Sequence, residues 1–223
     1  TQQERLESFY KSQAHLYDSY RHRMLHGRFP MIKAMPKAIN GVWVDMGGGT
    51  GSNLEFFKNL RSWGKVVVLD LCPSLVETAI NRVVTNEWTS FVDVVLGDAC
   101  DTGCAGLPGS GTVDVVSFSY ALSMIPDWKG AIKNAHRLLK PGGHMAVCDF
   151  TVTDSQWRIM RWFWRWLFAH DHVYLREEHI KVLSEVFETT HVQVGYGQFP
   201  YVPFISCPYY SFVGRKTSDN CSL

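Results

Sequence analysis

The residues best placed for chemistry lie between Val42 and Gly51. An apolar run, Val42 to Met46, carries Asp45 near its end and leads into glycines at 47, 48, 49 and 51. Glycine admits backbone conformations closed to other residues and lets a ligand approach the main chain. A helix is predicted to start at once, near 52–60, and its unpaired N–H groups suit a negatively charged ligand group. A dinucleotide-binding loop would place glycine first, third and sixth. Counted from Gly47, the sixth position is Ser52, and the spacing is instead D-x-G-x-G-x-G over Asp45, Gly47, Gly49 and Gly51.

Further acidic residues follow at the ends of apolar runs. Asp70 closes Lys65 to Leu69, about 20 residues past the glycines, where a carboxylate can bind ribose hydroxyls. Pro73 and Ser74 open a helix there, so Asp70 also reads as a helix cap, and the two readings are compatible because the cap position is also the ribose position. Asp98 follows Leu96 and Gly97. A fourth run, Val113 to Phe118, leads into Ser119 and Tyr120, and Leu138-Leu-Lys-Pro-Gly-Gly143 precedes a fifth. The last motif also reads as a plain helix stop.

The elements that must position these residues alternate. Val42–Met46, Val66–Leu69, Phe91–Leu96, Val113–Phe118 and His144–Cys148 read as buried strands, separated mostly by helices near 52–60, 74–84 and 128–139. Such alternation implies a parallel sheet covered by helices on both faces. Residues 2–26 have helical spacing ended by Gly27 and Pro30. Asp154–Ala169 is a Trp-rich helix and Arg176–Phe187 another, before strands at His191–Tyr196 and Tyr209–Gly214.

At 223 residues, with 46% hydrophobic and 19% charged positions, the chain suits one domain with a large core. It divides into an N-terminal helical cap (1–40), a ligand-binding half (41–150) and acceptor-side helices with a closing strand pair (151–223). A net charge of +1 gives no general attraction to nucleic acid. The six cysteines form no C-x-x-C pair, and Cys72, Cys100 and Cys148 sit in or beside apolar runs, so free thiols in a reducing compartment are expected. No metal site is expected. His22 and His26 have helical spacing, but no third ligand is apparent.

The order and spacing of these motifs over 42–150 resemble class I S-adenosylmethionine-dependent methyltransferases. The resemblance implies a Rossmann-like seven-stranded, mostly parallel sheet with an antiparallel closing strand, and S-adenosylmethionine as cofactor. It implies that the glycines run beside the methionine part of the cofactor, that Asp45 orders the loop, and that Asp98 lies near the adenine. Leu71, Ala99, Ser117 and Ser119 fall at the strand ends that would complete this site. Tyr17 and Arg21, four apart on the first helix, would close over the cofactor, Arg21 meeting its carboxylate.

Tyr17–Arg28, Tyr120–Trp128, Phe168–Leu175, Phe199–Pro203 and Pro208–Lys216 together resemble the methyltransferase component of betaine lipid synthase. That family implies threefold N-methylation of a diacylglyceryl-homoserine lipid, with a separate or fused partner activity making the homoserine lipid. The amine must lose a proton, and Tyr120, Asp127 or Asp171 could take or relay it. Aromatic faces at Tyr120, Trp128 and Tyr174 could receive the growing ammonium. Asp127 as a helix cap and Trp128 as packing are the plainer alternatives. Other readings are a methyltransferase for a soluble small molecule or quinone precursor, and a non-catalytic cofactor-binding partner. The Trp-rich helix, and the lack of a basic cluster for an anionic substrate, lean towards the lipid.

A lipid acceptor requires contact with a bilayer, and no apolar run is long enough to span one. Arg158, Arg161 and Arg165 form a basic stripe beside Trp162 and Trp166, which suits a helix lying in the headgroup layer or, equally, one packed on the sheet. The expected location is cytoplasmic and peripheral to membrane, at the endoplasmic reticulum face in a eukaryote.

Overall fold

A computed structural model describes residues 1–11, 25–153, 156–169, 173–199, 202–217, 221 and 223. Seven strands form one sheet: β1 (Val42–Met46), β2 (Lys65–Asp70), β3 (Val92–Leu96), β4 (Val113–Ser119), β5 (Leu139–Phe150), β6 (Glu188–Phe199) and β7 (Val202–Arg215). Their order is β3-β2-β1-β4-β5-β7-β6. The first five run parallel, and β7 lies antiparallel between β5 and β6.

The order places β1 in the interior of the sheet, with both faces covered. Alternate β1 side chains enter different cores: Trp43 joins Val66, Val68 and Val115, whereas Val44 and Met46 join Val67, Leu69 and Val116. Complete burial of such side chains contributes roughly 1.5–3 kcal/mol each. This two-sided burial is why the strands read as continuous apolar runs.

Six α-helices flank the sheet among the described residues: α1 (Gln2–Tyr10), α2 (Arg28–Ala34), α3 (Pro73–Thr85), α4 (Trp128–Leu138), α5 (Arg158–Ala169) and α6 (Glu178–Val186). Proline opens α3, where its missing N–H costs nothing, and Leu75, Val76, Ala79 and Val83 form the buried stripe. Asp127 caps α4 by accepting from the Gly130 N–H at 2.9 Å.

Two local expectations fail. The segment 52–60 holds only 3-10 turns at Ser52–Phe56 and Leu60–Ser62. Phe57 turns extended and packs 4.9 Å from Trp43 and 6.2 Å from Trp63, so tertiary aromatic packing replaces helical continuation. Gly27 and Pro30, expected to end a helix, start α2, and residues 12–24 ahead of them lie outside the described residues. Gly27 takes φ +83 as its N-cap, and Pro30 occupies the first turn, where its ring is tolerated.

The Trp-rich helix divides its side chains. Trp164 and Phe168 are buried, with Phe168 4.6 Å from Phe150, while Trp157, Ile159, Trp162 and Trp166 are exposed. The basic stripe is largely consumed within the protein: Arg161 and Arg165 both pair with Glu177. No described helix is long and apolar enough to cross a membrane.

Candidate functional site

The ends of β1, β2, β3 and β4 open onto one cavity of about 800 Å³. Its inner wall is the glycine turn. Gly47 and Gly49 take φ of +66 and +57, and a Cβ on Gly47 would stand 2.4 Å from the Ala121 Cβ. Gly47, Gly48 and Gly49 line the cavity, and Asp70, Leu71, Asp98, Ala99 and Ser119 complete that side.

Asp45 lies beneath the turn, fully buried. It accepts from the Ser117 hydroxyl at 2.6 Å and the Asn53 amide at 2.9 Å. Burial, chiefly, raises its carboxyl to about 6, against the opposing pull of these donors and of Arg28. Ser117 also accepts from the Trp43 indole N–H at 2.8 Å. Its hydroxyl is committed below the cavity, so Ser117 supports the turn and does not line the pocket. Gly51, at φ +72, likewise shapes the turn without lining the cavity.

Asp70 joins two strands. One oxygen accepts from the Gly49 N–H at 2.8 Å and the other from the Cys72 N–H at 2.9 Å. The N-cap of α3 is Cys72, so Asp70, expected as the cap, sits two residues ahead of it. A carboxylate has about four acceptor positions, leaving capacity for a ligand's hydroxyls. Burial raises the Asp70 carboxyl, opposed by the backbone N–H groups it accepts from. Asp98 faces the same cavity and accepts from the Cys100 N–H at 2.9 Å. The Ser119 hydroxyl is buried on this wall with no hydrogen-bond partner.

Glycine backbone, two carboxylates with acceptor capacity and one unpartnered hydroxyl fit a nucleoside-bearing cofactor with an amino acid tail. Asp70 and Asp98 would hold its hydroxyls and base, and the Gly47–Gly49 turn its tail. S-adenosylmethionine supplies an electrophilic methyl group on a sulfonium sulfur when bound.

Tyr120 and Asp127, two of the expected proton acceptors, are not brought together. Tyr120 borders the cavity in a left-handed conformation, φ +55, fixed by its N–H to the Cys148 carbonyl at 2.7 Å. Its hydroxyl donates to the His26 carbonyl, and burial pushes the phenol well above its ordinary range. It therefore shapes the wall and is poorly suited to accept a proton. Asp127 is the α4 cap, outside the cavity. Trp128 is buried 4.7 Å from His179, and Tyr174 faces an adjoining cavity, so Tyr120, Trp128 and Tyr174 form no cage. Asp171, Tyr17, Arg21 and His22 lie outside the described residues. No group of three metal-ligating side chains occurs among the described residues, and the His26 ring meets the Gln198 carbonyl at 3.1 Å.

Several lining residues were not anticipated. Arg28 is buried, donates to Ser52 at 3.0 Å and lies 5.0 Å from the Phe56 ring centroid. Leu6, Tyr10, Leu25, Met124 and Ile125 form the apolar outer wall. Arg28 ends the Tyr17–Arg28 motif, but its burial depends on α2, which composition did not reveal.

The methyltransferase-domain family matches residues 13–190. Similar curated proteins include the ubiquinone/menaquinone biosynthesis C-methyltransferase UbiE of Ruegeria sp. (strain TM1040), 31% identical over 109 residues, 48% of this chain and 42% of that protein. The protein of the same name from Francisella philomiragia is 27% identical over 155 residues, 67% of this chain and 60% of that protein. The chain thus spans about half the length of these relatives. A chain of the complex containing the Haloferax volcanii Trm112 methyltransferase activator superposes with a TM-score of 0.73 at 17% identity, over 96% of this chain and 98% of that one. Geranyl diphosphate methyltransferase, solved with S-adenosylmethionine, superposes with a TM-score of 0.66 at 16% identity, over 85% and 84%. With the family matched across most of its length and a sheet of the same architecture behind the glycine turn, the chain belongs to the methyltransferase-domain family and is an S-adenosylmethionine-dependent methyltransferase of Rossmann-like fold.

Proposed function

We propose that this methyltransferase acts on an amphipathic acceptor drawn from a membrane. The observation that carries the reading is the two-part cavity. Its inner half is glycine backbone and carboxylate, and its outer half is Leu6, Tyr10, Leu25, Met124 and Ile125. The inner half suits the cofactor, and the apolar outer half suits an acceptor with a hydrocarbon portion. Methyl transfer then depends on orientation, which a preformed apolar wall supplies.

The names of the curated relatives favour a quinone precursor, methylated at carbon. A second reading is N-methylation of diacylglyceryl-homoserine to its trimethylated betaine, with a partner activity making the homoserine lipid. It is favoured by the resemblance of Tyr120–Trp128 and Pro208–Lys216, and by the exposed Trp157, Trp162 and Trp166 on and beside α5, which suit an interfacial helix. The test is incubation with methyl-labelled S-adenosylmethionine and, separately, a prenylated quinol precursor and diacylglyceryl-homoserine in mixed micelles, with products identified by mass. Label in the quinol selects the first reading and label in the lipid the second. Label in neither, with cofactor binding intact, refutes the amphipathic acceptor.

A further inference from the structure

Beside the cofactor cavity lies a second one, about 710 Å³, lined by Gln2, Arg5, Leu6, Met124, Pro126, Tyr174 and Arg176. Gln2, Leu6 and Met124 line both cavities, so one wall is common to the two. Arg5 and Arg176 both line this space, and no carboxylate stands among its described lining residues. The nearby acids are engaged elsewhere. Glu7 accepts from the Ser74 N–H at 3.0 Å, and Glu177 takes Arg161 and Arg165. Neither Arg5 nor Arg176 forms an ion pair with a described residue.

The walls are fixed from beneath. The buried Asp149 accepts from the Ser123 N–H at 2.8 Å and its hydroxyl at 2.7 Å, and the Ser123 carbonyl accepts from the Tyr174 N–H at 2.9 Å. The Gln2 side chain donates to the Met124 carbonyl at 3.3 Å, and the Tyr10 hydroxyl contacts the Met124 sulfur at 3.3 Å. The 3-10 turn Leu122–Met124 thus ties α1 to the segment bearing Tyr174 and Arg176.

We propose that Arg5 and Arg176 form the anion subsite of the acceptor pocket, so that the molecule methylated here carries a carboxylate near the atom that takes the methyl group. Guanidinium groups at a pocket wall that pair with no described residue match a carboxylate in charge and in hydrogen-bond geometry. The inference rests on the methyltransferase reading and on neither acceptor named above. The carboxylate can belong to a lipid headgroup or to a soluble acid.

The test uses the full chain and the variants Arg5→Gln, Arg176→Gln and both together. Calorimetry with S-adenosylhomocysteine bound compares diacylglyceryl-homoserine with its methyl ester, and 4-hydroxybenzoate with its methyl ester. The first pair represents the lipid source and the second the soluble acid. The parent is expected to prefer the acid of at least one pair, and each single variant to weaken that acid on the order of tenfold, with the ester unchanged. Where turnover is observed, KM for the acid rises while kcat holds. Equal binding of acid and ester in both pairs overturns the subsite. So does a loss of S-adenosylmethionine affinity in the variants, which would assign the pair to the cofactor's own carboxylate. Acid preference without methylation of any acceptor supports the subsite and refutes the proposed function.

Discussion

Asp45→Asn separates the support of the glycine turn from its electrostatic cost. In the parent, burial lifts the Asp45 carboxyl from 3.8 to about 6. At roughly 1.4 kcal/mol per tenfold change, that difference amounts to about 3 kcal/mol. The folded protein holds this proton more tightly than the unfolded chain does. The group therefore favours folding below pH 3.8 and loses that contribution as pH rises through about 6. Asparagine is isosteric and does not titrate. Its Oδ1 can still accept from Ser117, and Asn53, whose Oδ1 has no partner, can turn its amide to accept from the new side chain. Parent and variant should be of similar stability near pH 4. By pH 7.5 the variant should gain about 3 kcal/mol on the parent, a midpoint difference on the order of 1 M urea. Urea titrations across that range, followed by tryptophan fluorescence, make the measurement, and the buried Trp43 reports on the site through Ser117. Comparing two proteins cancels the other buried carboxyls, Asp70 and Asp149, which burial raises too. Stability curves that run parallel with pH would refute the reasoning.

Asp70→Ala removes the acceptor for both Gly49 and Cys72, so S-adenosylmethionine affinity should fall by about 1–3 kcal/mol and the melting temperature should drop; unchanged affinity by calorimetry in a folded variant would remove Asp70 from the cofactor site. Asp127→Ala should cost about 1 kcal/mol in thermal or urea unfolding, the usual value of a lost helix cap, with kcat unchanged; a large loss of kcat at normal stability would restore Asp127 as a catalytic candidate. Glu177→Gln frees Arg161 and Arg165 beside the exposed Trp162 and Trp166, so binding to anionic vesicles should strengthen at low salt, by roughly 1 kcal/mol for each cation released. Sedimentation with vesicles that shows no gain would exclude this face of α5 as the docking surface.

The sequence by itself determined the sheet and the glycine turn at the end of β1, because both rest on local signals. Val42–Met46 appears as a strand with the boundaries its apolar run indicates, and the glycine spacing marks a turn that only glycine forms without strain. Asp70 and Asp98 come to that turn because parallel strands align their carboxyl ends. Tertiary structure decided the rest. The segment after the turn abandoned its helix because Phe57 gains more by packing against Trp43 and Trp63 than by continuing hydrogen bonds of its own. The hydroxyls of Tyr120, read in the sequence as a proton acceptor, and of Ser117, read as a cofactor contact, are committed to His26 and Asp45, partners distant in the chain. Arg5 and Arg176 face one cavity although they lie at opposite ends of the sequence, so no local pattern could have joined them. Backbone conformation is set by neighbours in sequence, whereas the use of a polar group is set by what the folded chain brings within hydrogen-bond reach.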